Sequence, residues 1–281
     1  YGRTILGKGV VICKDTPNFI ANRFISFAGT FGVNYALEHG YTVGEVDALT
    51  GPLIGRPKTA TFRLYDLIGA DIMVQVNRNL YGAIPKDEAR EVINHPASRE
   101  LLETMLERGL LGNKAGQGFY KRVDTPEGRE FWELNLETLE YEPPVKVRFD
   151  SVGQHRKIED AGARIKAMVS AEDRAGEYLW HLHAFYLSYA AQRLGEIADD
   201  IASIDNANKW GFNHALGPFE IWDALGVAET AGRMEADGYE VAPWVKAMLD
   251  AGCASFYQRD AAGVVTGIYD PQRGDYAPLH K

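Results

Sequence analysis

Apolar positions recur with a helical period over most of this chain, broken by glycine and proline at intervals that mark short connections. In "KDTPNFIANRFISFAGTFGVNYALEHG" (14–40), Phe19, Ile20, Phe24, Phe27 and Phe31 fall at spacings that suit a buried helix. The pattern predicts a helix over 17–39. Asp15 or Thr16 can cap it, and Pro17 suits the first helical position because its missing N–H would be unpaired there. Gly40 stops it. "TVGEVDALTG" carries a capping box, Thr42 with Glu45 three residues on, and ends at Gly51. "GPLIGRPK" (51–58) reads as a loop and "TATFRLYDLIG" (59–69) as a short amphipathic helix with Phe62, Tyr65 and Ile68 on one side. Further helices are predicted over 71–80, 86–93 and 98–108. "GLLGNKAGQGFYKR" (109–122) breaks the helical period with glycines and ends in a short strand.

From 123 to 169 the pattern is less regular, and "EYEPPVKVRFD" must run extended around its two prolines. A long helix is predicted over 171–201, with Ser170 as cap and Asp173 in the capping-box position. "SFYQRDAAGVVTGIYD" (255–270) reads as a β-hairpin.

An internal repeat organises these elements. "VDALTGPLIGRPKTATFRLYDLIG" (46–69) and "IDNANKWGFNHALGPFEIWDALG" (204–226) share Phe-x-x-aromatic-Asp-x-x-Gly: Phe62, Tyr65, Asp66, Gly69 and Phe219, Trp222, Asp223, Gly226. Downstream, "MLERG" (105–109) recurs as "MLDAG" (248–252), and "FYKR" (119–122) as "FYQR" (256–259). Three matches in one order predict a mainly α fold of two related helical domains in tandem with small β-hairpin elements. The first spans 1–122, a connecting region 123–169, and a second, degenerate copy 170–281. The repeated aromatics read as packing residues, with the glycines ending their helices.

Composition narrows the class. At 281 residues, with 46% hydrophobic and 25% charged residues, the chain can bury a substantial core. No apolar run reaches bilayer length. The formal net charge of −9 argues against nucleic acid or an anionic membrane as partner. Cys13 and Cys253 have no metal or redox spacing and read as reduced packing residues of a cytoplasmic protein. The first residues, "YGRTILGKG", lack an initiator Met and any signal-peptide pattern, and read as an internal cut in a longer protein.

Little chemistry follows from spacing alone. No G-x-G-x-x-G stands between a strand and a helix, so a dinucleotide fold is not expected. His181 and His183, two apart on a helix, point to different faces and cannot share a metal ion. "GEIADD" (195–200) reads as a solvated face. Asn18, Asn22, Ser26 and Gly29 form a polar, small-residue stripe on the first helix. The stripe suits either a close helix crossing or an Asn22 amide offered to a ligand.

"VICKDTPNFIANRF" closely resembles the entry into the helical C-terminal domain of 3-hydroxyacyl-CoA dehydrogenases, Lys-Asp-x-Pro-Gly-Phe-(Ile/Val)-x-Asn-Arg. Lys14, Asp15, Pro17, Phe19, Ile20, Asn22 and Arg23 match, and Asn18 replaces the usual Gly. "GLLGNKAGQGFYKR" and "GPFEIWDALG" resemble two further segments of that family, and the tandem arrangement resembles the large multifunctional fatty-acid oxidation proteins. The resemblance covers most of 9–122 and 180–260. It implies a fold like the C-terminal domain of 6-phosphogluconate dehydrogenase, and a substrate-side, dimerisation-type region of an NAD-dependent 3-hydroxyacyl-CoA dehydrogenase. NAD and the catalytic His–Glu pair would belong to an upstream domain absent from this chain, leaving the chain inactive alone. Asn22 is the one active-site residue the resemblance carries over, holding polar atoms of an acyl-CoA substrate. A second reading is a non-catalytic docking or oligomerisation module, with a thiolase or hydratase as partner.

Overall fold

The computed structural model describes residues 1–126 and 128–278, so the last three residues of the predicted 170–281 copy lie outside the described residues. The first part holds α1 (Ala21–His39), α2 (Val43–Thr50), α3 (Phe62–Ile68), α4 (Ala70–Ala83) and α5 (Pro96–Glu107). An antiparallel sheet follows, made of β1 (Tyr120–Thr125), β2 (Gly128–Leu134) and β3 (Tyr141–Glu142). Then α6 (Asp150–His155) and α7 (Ala161–Val169) lead to α8 (Arg174–Arg193), α9 (Ile201–Phe212), α10 (Pro218–Leu225), α11 (Val227–Ala236) and α12 (Pro243–Asp250). A second antiparallel sheet closes the order, with β4 (Tyr257–Arg259), β5 (Val265–Asp270) and β6 (Asp275–Pro278). The fold is mainly α, as the periodicity predicts.

The two longest helices, α1 and α8, pack directly on each other. Phe27 stacks on Tyr189 with ring centres 4.3 Å apart, Phe31 stacks on Phe185 at 4.4 Å, and Phe24 meets Tyr186 edge-on at 5.8 Å. Phe24, Phe27, Tyr186 and Tyr189 are buried, each removal from water contributing about 1.5–3 kcal/mol. The helices approach closely at Gly32. The Tyr178 hydroxyl donates to the Gly32 carbonyl at 3.1 Å, and a Cβ on Gly32 would sit 2.7 Å from that hydroxyl.

Several expectations need correction. The first helix starts at Ala21 rather than Pro17, and neither Asp15 nor Thr16 caps it. Asn18 (φ 64°) and Phe19 (φ 52°) adopt left-handed backbone, which a right-handed helix cannot continue through. Asn18 stands where the family form has Gly, and asparagine is among the few other residues that tolerate this conformation. The stretch 123–169 is structured: β1 crosses the 122/123 boundary and pairs with β2, and two helices follow. The helix predicted over 171–201 is instead α8, capped by the Asp173 side chain accepting from the Gly176 N–H, not by Ser170. It ends at Arg193, after which a turn leads to Asp200, the cap of α9. The stretch predicted over 86–93 is a 3₁₀ helix, Glu88–Asn94, and the terminal hairpin gains a third strand. Cys13 is exposed rather than packed. The Thr42–Glu45 capping box forms as predicted.

The repeated motif carries hydrogen bonds as well as packing. Asp47 accepts from the N–H groups of Thr61, Phe62 and Arg63 and from the Tyr120 hydroxyl. Asp205 accepts in the same way from the N–H groups of Phe219 and Glu220 and from the Tyr257 hydroxyl. Asp66 accepts from the N–H groups of Phe119 and Tyr120, and Asp223 from those of Phe256 and Tyr257. Thus the aspartate of each Phe-x-x-aromatic-Asp-x-x-Gly ties its helix to the start of its own sheet. In the first case the approach requires glycine: a Cβ on Gly118 would lie 2.1 Å from Asp66 Oδ1, and one on Gly112 would lie 2.3 Å from the Asp66 carbonyl oxygen.

Candidate functional site

Asn22 lies in the first turn of α1 and is exposed. No hydrogen bond engages its side-chain amide among the described residues. Its neighbour Arg23 is fully buried. Arg23 Nη2 donates to Asp87 Oδ2 at 2.6 Å and to Glu196 Oε1 at 3.0 Å, and Nε donates to the Tyr189 hydroxyl at 2.8 Å. Nη1 donates to the Pro17 carbonyl at 3.4 Å. Tyr189 in turn donates to Asp87 Oδ2 at 2.7 Å, and Arg193 joins through Glu196 at 2.7 Å. Burial by itself would lower the Arg23 pKa, but Tyr189 and Asp87 outweigh it and hold it above the ordinary arginine value. Burial likewise pushes Tyr189 well above the usual phenol range.

Arg23 pins the start of α1 to α8 and to Asp87, the cap of the 3₁₀ helix, and this fixes where Asn22 stands. The structural role of Arg23 has no signature in the spacing, because its partners lie 64, 166 and 173 residues away in the chain. "GEIADD" is not simply a solvated face: Glu196 pairs with Arg23 and Arg193, Ile197 and Ala198 are buried, and Asp200 caps α9.

Large apolar side chains are exposed in the arm before α1 and on α9. Phe19, Ile12 and Trp210 are exposed at 53%, 83% and 54%. Lys14, from the arm that precedes α1, donates to the Gly195 carbonyl at 2.6 Å and pairs with Asp199 at 2.8 Å. Trp210, near the end of α9, covers Gly9. Three and seven residues beyond Asn22 on the same helix face, Ile25 and Gly29 line a narrow cavity shared with Arg56, Tyr65 and His214. The Tyr65 hydroxyl is buried there without a hydrogen-bond partner, and the Arg56 guanidinium lies 5.5 Å over the Tyr186 ring. Burial, with Arg56 adding, pushes His214 down to about 3, so its imidazole is neutral at physiological pH. Of the predicted stripe, Asn18 lies before the helix and is half-buried, Ser26 is buried and Gly29 faces Tyr65, while Asn22 is exposed.

His181 and His183 take different surroundings. His181 Nδ1 meets the Tyr239 hydroxyl at 2.8 Å, while His183 is buried with Nδ1 on the Leu179 carbonyl at 2.7 Å. No helix of the described residues is long and apolar enough to cross a membrane. Both sheets are antiparallel, and the described residues contain no parallel sheet to cradle a dinucleotide.

Comparison with known proteins bears on this geometry. Residues 19–122 match the model of the family described as 3-hydroxyacyl-CoA dehydrogenase, C-terminal domain. A probable 3-hydroxyacyl-CoA dehydrogenase of Bacillus subtilis (strain 168) is 45% identical over 276 residues, 98% of this chain and 34% of that protein. A putative fatty acid oxidation complex trifunctional enzyme of Rickettsia prowazekii (strain Madrid E) is 29% identical over 220 residues, 77% of this chain and 28% of that protein. The chain thus spans about a third of the length of the curated relatives it matches. The crystal structure of 3-hydroxybutyryl-CoA dehydrogenase from Escherichia coli K12 superposes with a TM-score of 0.51 at 19% identity, covering 88% of this chain and 63% of that one. That likeness is one of fold. The family match and the relatives support the 3-hydroxyacyl-CoA dehydrogenase family for this chain.

Proposed function

From the similarity to the 3-hydroxyacyl-CoA dehydrogenase family as premise, we propose that this chain is the substrate-side helical region of an NAD-dependent 3-hydroxyacyl-CoA dehydrogenase. The reaction would oxidise the hydroxyl of a 3-hydroxyacyl-CoA to a ketone in fatty-acid β-oxidation, in the cytoplasm. NAD, which supplies hydride acceptance, would sit on a separate domain docked over the apolar rim of Ile12, Phe19 and Trp210. The observation that carries this reading is Asn22. Its amide is exposed and without an internal partner, while its neighbour is locked into a buried ion network that sets the helix start. Such an amide can hydrogen-bond polar atoms of an acyl thioester near the reacting carbon and hold them in register for the transfer. The acyl portion would follow the Ile25–Gly29 face.

The repeated Asp–backbone wiring and the α1–α8 contact support two related helical units, 1–122 and 170–281, packed as a pseudo-dimer. On this reading the second copy fills the place of a partner subunit. A monomer by light scattering is expected. The alternative, a docking module for a thiolase or hydratase, draws on the same apolar rim.

The test is NADH oxidation with acetoacetyl-CoA, on this chain and on a longer protein that includes the preceding coding sequence. Turnover is expected in the longer protein alone. In that protein, Asn22→Ala should lower turnover roughly 10²–10³-fold, the scale for losing a positioned polar stabiliser. A loss under about threefold with intact folding would remove Asn22 from the site.

A further inference from the structure

Between α3 and the β1–β2 hairpin lies an open cavity of about 670 Å³ that shares Thr59 with the cavity beside Ile25 and Gly29. Two arginines line it. Arg63 is held between two aromatic rings, its guanidinium carbon 4.0 Å from the Tyr120 ring centre and 5.0 Å from that of Phe131. Arg122 stands directly across the hairpin from Phe131 and is exposed. Among the described residues neither guanidinium has a carboxylate oxygen within 4 Å or a hydrogen-bond acceptor.

The acids nearby are otherwise engaged. Asp66, in the cavity floor, accepts from the N–H groups of Phe119 and Tyr120. Asp47 accepts from three backbone N–H groups and a hydroxyl, and Glu133 accepts from the Gly44 N–H at 3.0 Å. The donors of Arg63 and Arg122 are therefore left for something outside the protein. Apolar surface flanks them: Phe131 is 46% and Leu67 63% exposed.

The corresponding cavity of the second half is charged differently. There Glu220 stands in the place of Arg63 and is neutralised internally by Lys209 at 2.6 Å, while Arg259 donates to the Gly263 carbonyl. Among the described residues, Arg259 of the second cavity has an internal acceptor, whereas neither guanidinium of the first has one.

We propose that the Arg63–Arg122–Phe131 cavity binds a phosphate-bearing purine nucleotide, its phosphates on the two guanidiniums and its base against Phe131 and Leu67. Arginine forks match phosphate oxygens bidentately, and a guanidinium already stacked between rings loses little freedom on binding. The chemistry has two sources, the 3′-phosphoadenosine end of a CoA thioester or a free adenine nucleotide. The proposal stands apart from the dehydrogenase reading, since binding is measured on the 281-residue chain without turnover.

The experiment is isothermal titration of the chain with adenosine 3′,5′-bisphosphate, ADP and pyrophosphate, with saturation-transfer NMR on the adenine protons. A preference for the bisphosphate assigns the pocket to the CoA end, and a preference for ADP to a free nucleotide; either supports the proposal. Arg63→Gln and Arg122→Gln should each weaken binding about tenfold or more, the loss of one charge-assisted phosphate contact. Arg259→Gln, in the other cavity, should leave it unchanged. Arg122 is outside the core, so R122Q tests the site even if R63Q disturbs α3. Nucleotide binding that is absent up to about 1 mM, indifferent to both substitutions, or no tighter than pyrophosphate would overturn the proposal.

Discussion

Replacing Arg23 tests whether the buried ion network sets the start of α1. Its side chain and that of Asp87 are 0% and 1% exposed, and Arg23 makes the shortest contact that Asp87 has. In Arg23→Met the aliphatic volume is kept, but Asp87 is left with the Tyr189 hydroxyl, the Ala89 N–H at 3.0 Å and Arg193 at 3.5 Å. Removing one member of a buried pair costs about 3–5 kcal/mol, because a charge stays desolvated without compensation. The remaining Arg193 offsets part of this, so a loss of about 3 kcal/mol is expected. Urea denaturation followed by far-UV circular dichroism would measure it, with the m-value checked for constancy. Arg23→Lys keeps the charge but not the fork that reaches Asp87, Glu196 and Tyr189 together, and should fall between wild type and R23M. In R23M/D87L no unpaired charge remains, and the double variant should regain at least about 1 kcal/mol over R23M despite the lost Ala89 cap. A loss under about 1 kcal/mol in R23M, or no recovery in the double variant, would refute the reasoning.

The remaining expectations concern pH, the repeated aspartates and the break before α1. Burial, with Glu220 adding, pushes Asp205 up to about 8. The folded state then holds a proton that the unfolded state has released, so this carboxyl's contribution to stability falls as pH rises towards 8. His183 and His214, pushed down to about 4 and about 3 chiefly by burial, act oppositely, an effect that fades as pH rises above about 6.5. Between pH 6.5 and 7.5 Asp205 alone lowers stability by about 1.2 kcal/mol and the two histidines return about 0.7, so denaturation should show a net fall of about 0.5 kcal/mol that turns into a rise in Asp205→Asn. Asp66→Asn and Asp223→Asn each leave one acceptor for two buried N–H groups, so each should cost about 1–3 kcal/mol in the same assay. Thermal melting should find Asn18→Gly near neutral and Asn18→Val destabilised by about 1–2 kcal/mol, because a β-branched residue resists φ 64°.

The sequence by itself determined the class of fold and most helices, because an amphipathic helix writes its buried face into a local period. The capping box at Thr42 and Glu45 was legible for the same reason: both partners lie within one turn. The recurrence of Phe62 and Asp66 as Phe219 and Asp223 was visible as a pattern, but its aromatics alone suggested only packing. Their aspartates reach N–H groups 53 and 33 residues away, a connection no local window contains. The left-handed break at Asn18 and Phe19 was hidden because both residues also suit the first turn of a helix. Asn22 could be marked from its neighbours, but its orientation could not. That was decided by Arg23, whose partners on Asp87, Tyr189 and Glu196 meet only when α1 and α8 pack together. The free guanidiniums of Arg63 and Arg122 belong to the same kind of fact: whether a charge is paired depends on what the rest of the chain brings within a few ångströms of it.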